Sequence, residues 1–137
     1  MAVTLERQSF TVEPLSAVLG VAVVGLDLRQ PLAQSTRRAI YDTFLRYHVL
    51  CFRDQQLDQD QQVAFSEQFG MLERHIARNR GKTNPLVQIV SNLGADGKPT
   101  GKVSSDRWHS DKSFRPQPSL ATILFAQVMP PNGGETC

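Results

Sequence analysis

The stretch Trp108-His109-Ser110-Asp111 constrains this 137-residue chain more than any other. In an extended strand alternate side chains point to the same face, so His109 and Asp111, two apart, project together. A neutral imidazole beside a carboxylate supplies two corners of a metal site. A second histidine on that face would complete the two-histidine, one-carboxylate arrangement of non-haem Fe(II) oxygenases. His-x-Asp is short, however, and by itself it also describes a surface strand with two polar residues.

The rest of the chain supplies strand and helix signals in quick succession. Phe10 to Leu15 reads as a first strand. Gly20 to Leu28, rich in valine and bounded by glycine, reads as a second. Pro31 stops it. Ser35 is placed to cap a helix running to about Tyr47, with Ile40 and Phe44, and Tyr41 and Leu45, spaced four apart on an apolar face. His48 closes that helix, where a histidine is favourable with the dipole. Val49 to Phe52 is a short buried strand, with Cys51 as a small core residue.

Asp58 and Gln61 form a capping-box pair that opens a second helix. This helix should reach Phe69, with Gly70 in the left-handed position after it and Phe65 and Phe69 as core anchors. Val87 to Val90 reads as a strand and Leu93 to Gly97 as a turn. Leu120 to Val128 is the longest strand candidate. A tight connection follows over residues 130–134, and Glu135 opens a further strand. The expected class is α+β, with no internal repeat.

The formal charge of +2 argues against a dedicated nucleic-acid surface. The charge is uneven: residues 1–70 hold six basic and eight acidic side chains, whereas residues 71–115 hold nine and four. Such a basic stretch is either a solvated loop region or one that attracts anions. Cys51 and Cys137 are too few for a disulfide framework and match no zinc spacing. No apolar run approaches a membrane span, and the N-terminus lacks the regions of a signal peptide, so a cytoplasmic location without membrane contact is expected.

The flanks of the His109 motif add a resemblance. Trp108-His109-Ser110-Asp111-Lys112-Ser113-Phe114, then Pro116 and Pro118, the apolar run Leu120 to Val128, and Pro130-Pro131-Asn132-Gly133-Gly134-Glu135-Thr136 resemble the TauD/TfdA family of iron- and 2-oxoglutarate-dependent dioxygenases. Val49 to Gln55, Asp60 to Gly70 and Val90 to Gly97 stand in the family's order. The resemblance runs from about Gly20 to the end.

It implies a double-stranded β-helix, a jelly roll of two facing sheets with helices outside it. It also implies Fe(II) held by His109 and Asp111, and 2-oxoglutarate bound through the Thr136 hydroxyl. His75 and Asn92 are candidates for contact with the substrate. The implied reaction consumes O2 and 2-oxoglutarate, hydroxylates a small organic acid such as a sulfonate, aryloxyalkanoate or sulfate ester, and releases succinate and CO2. A dimer or tetramer fits the family.

The family's third ligand, a distal histidine, and its 2-oxoglutarate-binding arginine stand downstream of the Thr136 motif, and no histidine or arginine follows Arg115 here. The strand candidates are also fewer than the about eight of a closed jelly roll. Residues 1–137 are therefore expected to form the N-terminal part of a single domain, incomplete at the C-terminus, and to be neither active nor well folded alone. Two other readings stay open: a non-catalytic remnant or assembly partner, and a metal-dependent hydrolase using the same His109 and Asp111. The Pro-Pro-x-Gly-Gly-x-Thr run has no role in the hydrolase.

Overall fold

The computed structural model describes residues 10–73, 84–94, 96–101, 109–129 and 131–132. The chain divides into two compact units, Met1–Gln88 and Ile89–Cys137.

The first unit contains β1 (Thr11–Pro14), β2 (Val21–Val24), α1 (Gln34–Tyr47), β3 (Leu50–Phe52) and α2 (Gln59–Glu67). The strands form one mixed sheet in the order β1-β2-β3. β1 runs antiparallel to β2, with Thr11 opposite Val24. β3 runs parallel to β2, with Val21 opposite Leu50. A parallel pair needs a long crossover, and α1 provides it.

The central strand explains the valine-rich run. Val21, Ala22 and Val23 are all buried, and a strand covered on both faces has no use for polar alternation. Gly20 sets up its entry. It adopts φ +82°, where a β-carbon would be strained, and its own Cβ direction meets Leu15 and Val49 at 3.5 Å. Its N–H donates to Tyr47 O, and the Val21 N–H donates to Val49 O. The strand ends at Val24 rather than Leu28, because Gly25 turns the chain at φ 99°.

α1 does not use Ser35 as its cap. Ala33 is the N-cap, with no side-chain capping bond. The approach is fixed instead from across the fold, where Leu32 N–H donates to Gln68 Oε1 at 3.0 Å. Ile40 is the helix's buried residue, while Leu45 is exposed. His48 closes the helix as expected, in the left-handed conformation with its N–H on Phe44 O at 2.7 Å.

α2 carries the capping box in full: Gln61 N–H donates to Asp58 Oδ1 at 2.8 Å, and Asp58 N–H donates to Gln61 Oε1 at 2.9 Å. The helix stops at Glu67 with Gln68 as its C-cap, two residues short of Phe69. Gly70, at φ 153°, lies beyond the cap position expected for it. Phe65 is buried and meets Phe52 and Phe69 edge-on at 5.6 and 5.3 Å. Each large apolar side chain buried this way contributes about 1.5–3 kcal/mol.

Two side chains replace missing backbone bonds. Gln55 accepts from Leu28 N–H and donates to Leu26 O and Arg53 O. Asn84 ties the end of the unit to α2, donating its N–H to Gln59 Oε1 and its Nδ2 to Asp60 Oδ1. On the exposed margin, Asp27 accepts three bonds from Arg29, through its N–H, Nε and Nη2. These bonds, led by the side-chain one, hold the Asp27 carboxyl below its usual range.

The second unit has no helix or strand among its described residues. Leu93 and Pro99 form an isolated antiparallel bridge across the expected turn, with Gly94 N–H on Lys98 O at 2.8 Å. Two expected strands are not formed. At 87–90, spanning the end of the first unit and the start of the second, Val87 N–H closes a turn on Asn84 O and Ile89 and Val90 are exposed. Residues 120–128 form no ladder, and Leu124 and Val128 are 83% and 82% exposed. A strand needs a ladder with a neighbour, and none is formed here among the described residues. The connection at 130–134 and the strand opened at Glu135 fall mostly outside the described residues.

Candidate metal centre

His109 and Asp111 are brought together, though not by a strand. Asp111 opens a turn through Phe114, with Lys112 in the left-handed region at φ 54°. Arg115 N–H donates to Lys112 O at 3.1 Å, and Ser113 Oγ donates to Ser110 O at 3.3 Å. The shared-face argument from strand periodicity therefore fails in its reason, while the pairing it led to holds. His109 Nε2 lies 3.5 Å from Asp111 Oδ1.

That separation suits a shared ion. Donors on adjacent corners of an octahedron, with bonds of about 2.1 Å, stand about 3 Å apart. The observed gap is slightly wider, and a small rotation of either side chain closes it. Both side chains are a little over half exposed, so an ion can reach them. Among the described residues no third histidine, cysteine or carboxylate joins the pair. The donors present fit two positions of an iron site and do not fill it.

Thr122, which nothing in the sequence marked, completes the surroundings of the carboxylate. Its Oγ1 donates to Asp111 Oδ2 at 3.1 Å, across eleven residues. The one available hint was a hydroxyl within an otherwise apolar run. Asn92, expected near the substrate, is exposed, and its backbone carbonyl accepts from both the N–H and Oγ1 of Thr100, at 2.8 and 2.9 Å. That places Asn92 in the turn closed by Leu93 and Pro99. His75, Trp108 and Thr136 lie outside the described residues.

The first unit carries a separate shallow cleft lined by Gln34, Arg37, Arg38, Tyr41, Gln68 and Phe69. None of these was a site candidate. Arg38 is paired with Asp42 at 3.1 Å, and the buried Arg37 Nε has no hydrogen-bond partner among the described residues. No helix among the described residues is long and apolar enough to cross a membrane.

Comparison with known proteins bears on the same stretch. Residues 11–137 match the model of the family described as taurine catabolism dioxygenase TauD, TfdA family. The α-ketoglutarate-dependent 2,4-dichlorophenoxyacetate dioxygenase of Cupriavidus pinatubonensis is 36% identical over 141 residues, covering 93% of this chain and 49% of that protein. The (S)-phenoxypropionate/α-ketoglutarate dioxygenase of Delftia acidovorans is 30% identical, covering 96% and 46%. A crystal structure of a taurine dioxygenase from Burkholderia xenovorans aligns with a TM-score of 0.52 at 38% identity, over 56% of this chain and 28% of that one. The chain thus spans about half the length of the curated relatives it matches.

Proposed function

The chain belongs to the TauD, TfdA dioxygenase family, and from that premise we propose that the protein hydroxylates a small organic acid at the expense of 2-oxoglutarate (α-ketoglutarate) and O2. The observation that carries this reading is the 3.5 Å approach of His109 Nε2 to Asp111 Oδ1 within the matched region. In this reading His109 and Asp111 would hold Fe(II), and the third donor would be the distal histidine that the family places downstream of the Thr136 motif. The iron supplies the oxygen activation that couples oxidative decarboxylation of 2-oxoglutarate to insertion of oxygen into a substrate C–H bond. One oxygen atom of O2 ends in succinate and the other in the hydroxylated product, with CO2 released.

The protein's part is to bind and orient. Thr136, by its hydroxyl, donates to the distal carboxylate of 2-oxoglutarate. His75 and Asn92 are carried as candidates for contact with the substrate. The basic excess of residues 71–115 favours anions, which both acids are. Relatives named for 2,4-dichlorophenoxyacetate, phenoxypropionate and sulfate esters support a substrate of the aryloxyalkanoate or sulfate-ester class. The small mixed sheet and its two helices belong, in this reading, to one jelly-roll domain of which residues 1–137 are the N-terminal part.

The test uses the protein expressed from its complete reading frame, with 2,4-dichlorophenoxyacetate as substrate and succinate as the product followed. His109→Ala and Asp111→Ala are each expected to lower Fe(II)-dependent succinate formation at least about a hundredfold, since removing a ligand should cost no less than removing a ligand's outer partner. Wild-type turnover in either variant would overturn the assignment of the pair. Zn(II)-dependent hydrolysis of an ester, with no use of 2-oxoglutarate, would favour the hydrolase instead.

A further inference from the structure

Asp111 divides its two oxygens between different partners: Oδ1 faces His109 Nε2 at 3.5 Å, and Oδ2 accepts the 3.1 Å hydrogen bond from Thr122 Oγ1. We propose, resting on the iron reading above, that Thr122 is a positioning residue: its hydroxyl holds Oδ2 so that Asp111 offers the metal a single oxygen beside His109.

The physical reason lies in the number of open positions. A carboxylate can bind a metal through one oxygen or through both. Three protein donors on an octahedral ion leave three positions, which suffice for a co-substrate binding through two atoms and for O2. A carboxylate that swings to bind through both oxygens removes one of them. A hydroxyl engaged with Oδ2 opposes that swing. Thr122 suits the role because a β-branched side chain is stiff about its first torsion, so its backbone fixes where the hydroxyl points. Asp111 is about half exposed and sits on a turn next to a left-handed residue, so its own surroundings restrain it little.

The test is calorimetric and needs no turnover. Metal-free protein from the complete reading frame is saturated with Co(II), an air-stable stand-in for Fe(II), and titrated with 2-oxoglutarate. Thr122→Val keeps the shape and removes the hydroxyl, and it is expected to weaken 2-oxoglutarate about ten- to a hundredfold, as loss of a ligand's outer partner does. Thr122→Ser restores the hydroxyl and is expected to stay within about threefold of wild type. Should Thr122→Val fail to fold by circular dichroism, Thr122→Ala against Thr122→Ser decides the same question. Wild-type 2-oxoglutarate affinity in the folded hydroxyl-free variant, with Co(II) binding still abolished by Asp111→Ala, overturns the role of Thr122 and leaves the iron reading standing. Wild-type Co(II) binding by Asp111→Ala overturns the iron reading, and this proposal with it.

Discussion

Residues 59–67 and residues 120–128 are the same length and treat their apolar side chains in opposite ways. Gln59–Glu67 is mostly polar, yet it buries Val63 and Phe65. Leu-Ala-Thr-Ile-Leu-Phe-Ala-Gln-Val over 120–128 is mostly apolar, yet none of it is buried and only Phe125 is half-buried. Apolar content therefore does not decide burial. A helix satisfies its own backbone, so α2 can form around a capping box and spend two side chains on the core. An extended segment leaves its N–H and C=O groups open until a neighbour pairs with them.

The sharpest way to break this contrast is to delete one side chain from each segment. Phe65→Ala removes a ring packed against Phe52 and Phe69 and is expected to cost about 3–5 kcal/mol. Leu124→Ala, at a site 83% exposed, is expected to change stability by less than about 0.5 kcal/mol. Denaturant unfolding followed by fluorescence measures both. Equal losses would mean that residues 120–128 are packed in solution after all.

A smaller effect sharpens the claim that α2 closes itself. Asp58→Ala breaks the capping box and is expected to cost about 1 kcal/mol. Ser35→Ala, in a helix anchored from Gln68, is expected to cost less than about 0.5 kcal/mol. A reversed order in thermal unfolding would return the capping role to Ser35.

The smallest effect lies on the solvated margin of the first unit. The folded Asp27 carboxyl titrates below its ordinary 3.8 because Arg29 bonds it. Its contribution to stability is therefore complete above that value and fades as pH falls through the lower, folded one. Both groups are exposed, so the contribution is slight. Carboxyl NMR should find a midpoint below 3.8 that returns toward it in Arg29→Gln, and an unshifted wild-type midpoint would show that the pair does not persist in solution.

What the sequence disclosed follows the range of the interactions involved. The Asp58–Gln61 box, the His48 terminus and the valine run of β2 are set by neighbours a few residues away, and all three are present. The entry to α1 is held by a bond from Gln68, 36 residues distant, which local spacing does not disclose. Residues 120–128 have the composition of a strand, yet they form no ladder among the described residues. The His109 and Asp111 pairing was legible from spacing, although a turn and not a strand produces it. Thr122 was not legible, because its bond to Asp111 depends on how eleven residues fold back.

The order of β1, β2 and β3 along the chain also has a consequence in time. Strands, crossover and central strand are all contained in residues 11–52, and Phe69 completes the aromatic cluster. A ribosome adding about 5–20 residues per second needs a further ~2–8 s to travel from Phe69 to His109. A small mixed unit such as this one folds in about milliseconds to a second. Once Phe69 has cleared the exit tunnel, the sheet has time to assemble on the nascent chain with its membership already decided, ahead of the long apolar run that would otherwise compete to pair with its exposed edges.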